Sequence, residues 1–283
     1  MNFGGKIRQI RKQKGLTQKD VYQNILSKSY AIEFEKGNHS ISATLLLEVL
    51  DRLSMEIDEF LYISDNYHLN SYSDYIYRYS KYANRHDLAA LKKLLAEVLL
   101  KQDTIDQVRA AEVRCRIAVI EHLEQTGIYD PAVVSSKDKS LIQQRLETIE
   151  SWTLQEVQLY GNTVEFMDAE HQVRFFRRLS KSLEQYLPYD RGREIFCSML
   201  VNLISLTLRG ERLDYAEVLI KQLQLISTDY KELFHRLAGK FFEGVLAIKQ
   251  DKETEGRKKT RYVLDVLHEV GHSALAQELE IFL

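Results

Sequence analysis

The stretch Ile7-Arg8-Gln9-Ile10-Arg11-Lys12-Gln13-Lys14-Gly15-Leu16-Thr17-Gln18, followed by Leu26-Ser27-Lys28-Ser29-Tyr30 and Phe34-Glu35-Lys36-Gly37-Asn38, decides the fold of the first part of this chain. Ile7, Ile10 and Arg11 begin a short helix that Gly15 stops. Thr17 caps a second helix, and Asp20 three residues on completes a capping box with Asp in place of Glu. Val21, Ile25 and Leu26 supply its apolar face. Ser27 and Ser29 can cap a third helix that runs to Lys36, with Ala31, Ile32 and Phe34 for packing, and Gly37-Asn38 breaks it. Ile41, Leu45, Leu46, Val49, Leu50 and Leu53 then recur at helical spacing, and Ile57, Phe60 and Leu61 close a fifth short helix. A basic helix, a capped helix, a tight turn and a third helix are the layout of a helix-turn-helix DNA-binding domain.

The charge pattern agrees. Residues 1–40 carry eight basic side chains (Lys6, Arg8, Arg11, Lys12, Lys14, Lys19, Lys28, Lys36) against three acidic ones (Asp20, Glu33, Glu35), a local charge of +5 in a chain of net charge −2. DNA affinity rests largely on phosphate neutralisation, so a localised positive face is what such a domain needs. The start of the second motif helix enters the major groove, which puts Ser27, Lys28, Ser29 and Tyr30 at the DNA, with Gln18 and Lys19 at the first turn of the preceding helix and Lys36 completing the candidate contacts. Gln18 can meet a backbone phosphate. Glu35 can be structural instead, pairing with Arg11 to lock the first and third helices.

The remaining residues are a different kind of object. Ser64 to Ser71 is polar and non-periodic, so the expected division is a DNA-binding domain over 1–63, a linker over 64–71 and a helical domain over 72–283. Tyr72, Tyr75, Tyr79 and Tyr82 share one helix face, which is read as packing rather than base stacking. From residue 85 onward the pattern is helical throughout, with helices expected over 171–186, 190–208, 212–226, 229–249, 255–270 and 273–282. Tyr160-Gly161-Asn162-Thr163-Val164-Glu165-Phe166 has an echo at Leu200-Val201-Asn202-Leu203-Ile204-Ser205-Leu206 and a looser one at Lys240-Phe241-Phe242-Glu243-Gly244-Val245-Leu246. The period of 40 residues suits stacked helix pairs, a tetratricopeptide-like α-solenoid with a concave face for an extended ligand.

Composition bounds the rest. The 283 residues include 2 prolines and 12 glycines, which favours long helices over sheets. Cys115 and Cys197 make no disulfide framework, so a reduced, cytoplasmic protein is expected. No apolar run approaches the roughly 20 residues a membrane span needs. There is no Gly-rich phosphate loop, no G-x-S-x-G, and no cysteine with a base pattern, so neither an enzyme nor a cofactor is expected. His268-Glu269-Val270-Gly271-His272 spells a zinc-protease motif, but Gly271 is expected to end the helix and no third ligand follows. Asn162 and Asn202 sit inside otherwise apolar helices. Each amide could hold a peptide backbone or make a helix–helix hydrogen bond.

The segments Leu26-Ser27-Lys28-Ser29, Phe34-Glu35-Lys36-Gly37, Ile41-Ser42, Leu50-Asp51-Arg52-Leu53, Ile57-Asp58-Glu59-Phe60-Leu61, Glu150-Ser151-Trp152-Thr153-Leu154-Gln155-Glu156 and Leu159-Tyr160-Gly161-Asn162, with the Val201-Asn202 helix, resemble the Rgg-type (Rgg/GadR/MutR) transcriptional regulators of Gram-positive bacteria. The resemblance runs nearly end to end and implies an Xre-like DNA-binding domain, a helical repeat domain, a homodimer and a cytoplasmic receptor for a short signalling peptide. Tyr30-Ala31-Ile32-Glu33 departs from the more polar or basic recognition helix of that family, which leaves the operator open. The resulting expectation is an all-α regulator binding operator DNA and a short hydrophobic peptide. That peptide would lie over Asn162 and Asn202, its side chains taken by Phe166, Met199 and Phe242. The alternative is the same DNA-binding domain with repeats that bind a protein partner or a small metabolite.

Overall fold

The computed structural model describes residues 2–101 and 103–283. The described residues are helical, without a strand. They form two compact units, one ending at Arg85 and the other spanning His86–Leu283.

The first unit contains α1 (Phe3–Gln13), α2 (Gln18–Tyr22), α3 (Lys28–Lys36), α4 (Ala43–Arg52), α5 (Ile57–Ser64) and α6 (Ser71–Asn84). Local chemistry starts most of them. Asn2 accepts from the Gly5 amide, Ser27 from Tyr30, Ser42 from Leu45 and Asn70 from Ser73. Thr17 and Asp20 make the reciprocal capping box that their spacing implies. Gly37 ends α3 at φ +85°, a left-handed residue that glycine adopts without steric cost. One boundary differs from expectation. The apolar residues Ile25 and Leu26 lie in the turn and not on α2, because Asn24 takes φ +68° and ends the helix early. Ile7, Ile10, Val21, Phe34, Val49, Leu50, Leu53 and Phe60 close one core.

The linker expected at 64–71 is a turn with Asn66 and Tyr67 both at positive φ. The division between units falls after α6, at Arg85. Tyr75 and Tyr79 are buried on α6, with ring centroids 6.0 Å apart.

The second unit holds α7 (Leu88–Leu99), α8 (Thr104–Thr126), α9 (Ser136–Thr148), α10 (Leu154–Thr163), α11 (Ala169–Tyr186), α12 (Asp190–Arg209), α13 (Leu213–Ile226), α14 (Leu233–Lys249), α15 (Glu253–Glu269) and α16 (Ser273–Glu280). Helices α7, α8 and α9 pack in sequence, α10 packs on α12, and α12 to α16 each pack on the next. This is the stacked-pair arrangement of a tetratricopeptide-like solenoid. The 40-residue echo places Asn162, Asn202 and Phe242 on α10, α12 and α14, the helices that open successive pairs.

Two features set its geometry. Trp152 donates from Nε1 to the Leu146 carbonyl at 3.2 Å and packs its ring on Tyr160 and Phe175, with centroids 5.8 and 5.6 Å away. That joins α9, α10 and α11 through one side chain. Gly244 and Gly256 face each other across α14 and α15. A Cβ on Gly256 would lie 2.5 Å from the Gly244 carbonyl oxygen, so the two backbones approach as closely as they do only because neither carries a side chain.

Among the described residues no helix is long and apolar enough to cross a membrane. Cys115 and Cys197 are buried thiols.

Candidate DNA interface and ligand surface

In the first unit, α2 and α3 are held at a fixed angle by one buried carboxylate. Glu35 on α3 accepts from Arg11 Nε at 2.7 Å and Arg11 Nη2 at 2.9 Å. It also accepts from Gln18 Nε2 at 2.8 Å and from the Tyr22 hydroxyl at 3.0 Å. Arg11 donates a further bond to the Leu16 carbonyl. Burial works to raise the Glu35 pKa, but the hydrogen bonds from Arg11, Gln18 and Tyr22 outweigh it and hold the carboxyl below its usual range. Tyr22 moves the other way: burial, then the charge of Glu35, push its phenol up.

The candidate DNA residues lie on α2 and α3 and in the turn between them. Ser27, Lys28, Ser29 and Tyr30 are exposed at the start of α3, and Lys19 is exposed on α2. Among the described residues Lys19 and Lys28 have no ion-pair partner. Ser27 accepts from the Tyr30 amide and lies 3.3 Å from the Ser29 hydroxyl. Gln18 is half-buried with its amide spent on Glu35, so it reaches the surface less freely than its neighbours. Lys36 lies at the far end of α3 and pairs with Glu33 at 2.7 Å. Glu33 also accepts from Asn38 at 2.7 Å. Hydrogen bonds from Lys36 and then Asn38 hold its pKa below the usual carboxylate range.

Sequence reasoning missed His39. Its ring stacks on Tyr30 with centroids 4.8 Å apart, while the Tyr30 hydroxyl donates to the Ser40 carbonyl at 2.8 Å. Tyr30 is therefore held against the loop after α3. No spacing rule connects a helix N-terminus to the loop beyond its C-terminus.

In the second unit the two asparagines occupy adjacent helices. Asn202 on α12 is exposed and donates from Nδ2 to the Gly161 carbonyl on α10 at 3.1 Å. A Cβ on Gly161 would stand 3.1 Å from the Met199 Cβ, so α10 and α12 are close here. Asn162 is half-buried. It donates to Glu112 Oε1 at 2.7 Å and accepts from Gln158 Nε2 at 3.2 Å. Asn202 keeps its carbonyl oxygen and one N–H free of hydrogen bonds among the described residues.

Beside them lies a polar network absent from the sequence reading. Arg116 on α8 pairs with Glu165 at 2.6 Å and donates to the Tyr129 hydroxyl at 3.1 Å and the Asn162 carbonyl at 3.3 Å. Tyr129 donates to Glu165 in turn. Burial, together with Glu165, pushes the Tyr129 phenol up to about 12 against the pull of Arg116. Arg209 on α12 lies over the Tyr129 ring at 5.4 Å and the Phe282 ring at 4.9 Å.

Phe166, Met199 and Phe242 are all at most 4% exposed. Phe166 lies under the Arg116 guanidinium, and Phe242 packs on Phe241 and Phe282. All three belong to the core of the second unit, so they do not present the exposed side chains that direct contact with a ligand would need. Met199 also borders a cleft of about 330 Å³ between α11, α12 and α13, lined by Phe176, Leu183, Phe196 and Leu225.

The zinc-protease motif does not assemble. Helix α15 ends at Glu269, and Gly271 at φ +82° turns the chain before His272. The two histidines therefore do not share a helix face, and His268 Nδ1 lies 3.0 Å from the Ser273 hydroxyl instead. No cluster of three or more candidate metal ligands occurs among the described residues.

Residues 92–281 match the family model "HTH-type transcriptional regulator Rgg, C-terminal domain", and residues 7–60 match a helix-turn-helix model. The chain belongs to the Rgg family. It is a helix-turn-helix transcriptional regulator and not an enzyme. A protein of Listeria monocytogenes EGD-e, assigned to the transcriptional regulators, is 30% identical over 99% of this chain and 95% of its own, with a TM-score of 0.89. The SHP pheromone receptor Rgg2 of Streptococcus dysgalactiae shares the fold at 22% identity and a TM-score of 0.78, covering 98% of this chain and 97% of that one. PrgX, solved in complex with cCF10, does so at 16% identity and a TM-score of 0.72, covering 100% and 98%. The Rgg-type chain described here shares the all-α plan of both: a helix-turn-helix unit followed by a helical repeat unit.

Proposed function

We propose that this Rgg-family regulator is a cytoplasmic receptor for a short, largely apolar peptide, and that it acts as a homodimer on an inverted-repeat operator. Residues 1–63, within the unit that ends at Arg85, form its DNA-binding part, and the unit His86–Leu283 its ligand-binding and dimerisation part. Ser27, Lys28, Ser29 and Tyr30 enter the major groove, while Gln18, Lys19 and Lys36 flank it. Lys19 and Lys28 supply phosphate contacts. The peptide lies along α10 and α12. Asn202 and Asn162 hold its backbone, and Phe166, Met199 and Phe242 back the surface that its side chains cover.

The observation that carries this reading is the state of Asn202. Its amide sits exposed on an apolar helix, one N–H bonded across to Gly161 and the other polar positions open. An extended peptide backbone offers the matching carbonyl and N–H. The fold shared with the SHP pheromone receptor Rgg2, and with PrgX solved in complex with cCF10, supports the same reading. The peptide acts by favouring one of two states of the regulator, since a ligand with no preference between states shifts nothing.

A second reading has its own observation. The apolar cleft between α11, α12 and α13 has the volume of a small-metabolite site. Native mass spectrometry of the regulator purified from its own host separates the two. A retained peptide whose occupancy falls in Asn202→Ala supports the first. A retained small molecule, lost on filling the cleft with Leu183→Trp, supports the second.

A further inference from the structure

Arg209 has no role in the peptide reading above. It lies seven residues after Asn202 on α12, two helical turns along the same face, about 10 Å away at the helical rise. The residue is exposed, and its guanidinium lies over two rings. Tyr129 lies on one side at 5.4 Å and Phe282 on another at 4.9 Å. Tyr129 is itself fixed by Arg116 and Glu165. Stacking on rings satisfies the face of a guanidinium and leaves its edge, with five N–H donors, unserved. Among the described residues no carboxylate pairs with Arg209 and no acceptor takes a hydrogen bond from it. Glu165, the nearby acid of the network, is engaged by Arg116 at 2.6 Å. The neighbouring cations differ: Arg116 has Glu165, Arg193 has Glu232 and Asp190, and Arg212 has the Gln172 amide.

We infer that Arg209 is the anchor for a carboxylate on the bound peptide, either its C-terminus or an acidic side chain. The inference rests on the peptide reading above. A guanidinium that packs on two rings presents its planar fork at lower entropic cost, and such a fork takes a carboxylate through two parallel hydrogen bonds. The ligand is then apolar along most of its length, with its backbone on Asn202 and a negative charge about two helical turns away. A lone backbone site holds an extended peptide in either direction. A charged anchor at one end selects one direction and one register.

Affinity-selection mass spectrometry with three synthetic octapeptide pools tests this. The first pool lacks Asp and Glu and has free C-terminal acids, the second is the same with C-terminal amides, and the third is amidated with one Glu at a varied position. The wild-type chain retains the first or the third over the second by about tenfold, the effect of one charge-assisted pair at a partly exposed site. Which pool is preferred identifies the source of the carboxylate. Arg209→Gln abolishes the preference without abolishing retention, and Arg209→Lys restores part of it. Equal retention of all three pools by the wild-type chain, or an undiminished preference in Arg209→Gln, overturns the anchor and leaves the peptide reading standing. No retention from any pool brings down the peptide reading and the anchor together. Matching thermal melts of the variants establish that the fold is intact.

Discussion

Arg11 and Glu35 form a two-pronged ion pair inside the helix-turn-helix unit, Nε to Oε1 at 2.7 Å and Nη2 to Oε2 at 2.9 Å, and both residues are buried. The pair joins α1 to α3 and, through Gln18 and Tyr22, α2 as well. It fixes α3 against α1 and α2.

Removing one partner leaves an uncompensated buried charge. Glu35→Ala is expected to destabilise this unit by about 3 kcal/mol or more, read as a fall in the denaturation midpoint. Because Glu35 titrates below its ordinary value of 4.5, its contribution is fully present above that pH. It is lost as pH falls through the lower folded value. Urea midpoints of the wild-type chain should therefore drop more steeply than those of Glu35→Gln as pH is lowered below about 4.5. Parallel curves for the two would show that the pair contributes nothing.

Lys28 lies exposed at the start of α3, with no ion-pair partner among the described residues. Lys28→Ala is expected to weaken duplex DNA binding and to lower the slope of log affinity against log salt by about one, the share of a single phosphate contact. Fluorescence anisotropy across a salt series measures both. An unchanged slope in Lys28→Ala and Lys19→Ala alike would place the DNA elsewhere.

Asn202 bonds to Gly161 and also faces outward, so its replacement has two separable effects. Asn202→Ala should lower the melting midpoint slightly, by the roughly 1 kcal/mol of a partly exposed hydrogen bond. It should weaken binding of a peptide ligand by about 1–3 kcal/mol. Calorimetry beside thermal melts resolves the two. A stability loss with unaltered affinity would reduce Asn202 to a helix–helix contact.

Gly256 is predicted to be intolerant. The added methyl of Gly256→Ala would lie 2.5 Å from both the Gly244 carbonyl oxygen and Ile248, and backbone cannot yield as a side chain can. A loss of about 3 kcal/mol is expected from such overpacking, with α14 and α15 pushed apart. A melt equal to wild type would show that the helices separate without cost.

Burial pushes the thiols of Cys115 and Cys197 up to about 12. At pH 8 both should react with a disulfide reagent only as fast as the unit opens, and at once in denaturant. Rapid labelling of the native chain would contradict the packing around α8 and α12.

The linear order of residues was enough for the fold, and for a physical reason. Capping residues, glycine stops and apolar periodicity act over three to seven positions, so Thr17 with Asp20, Gly37 and the stripes of α12 to α15 are legible one element at a time. The Arg11–Glu35 pair was legible too, since opposite charges on facing helices of a small core have few other partners. The 40-residue echo located the helices that open each pair, and so placed Asn162 and Asn202 on neighbouring helices.

Periodicity could not say which equivalent positions face outward. Asn202 is exposed, while Phe242 at the next repeat is buried because Phe282 packs against it from 40 residues further on. Tertiary structure alone also decided where unlike elements meet: His39 on Tyr30, Tyr129 and Phe282 on Arg209, and Glu165 with Arg116. Such contacts depend on the close approach of segments distant in sequence. No local rule encodes that approach, and only the packed chain brings the groups within hydrogen-bond and ring-stacking distance.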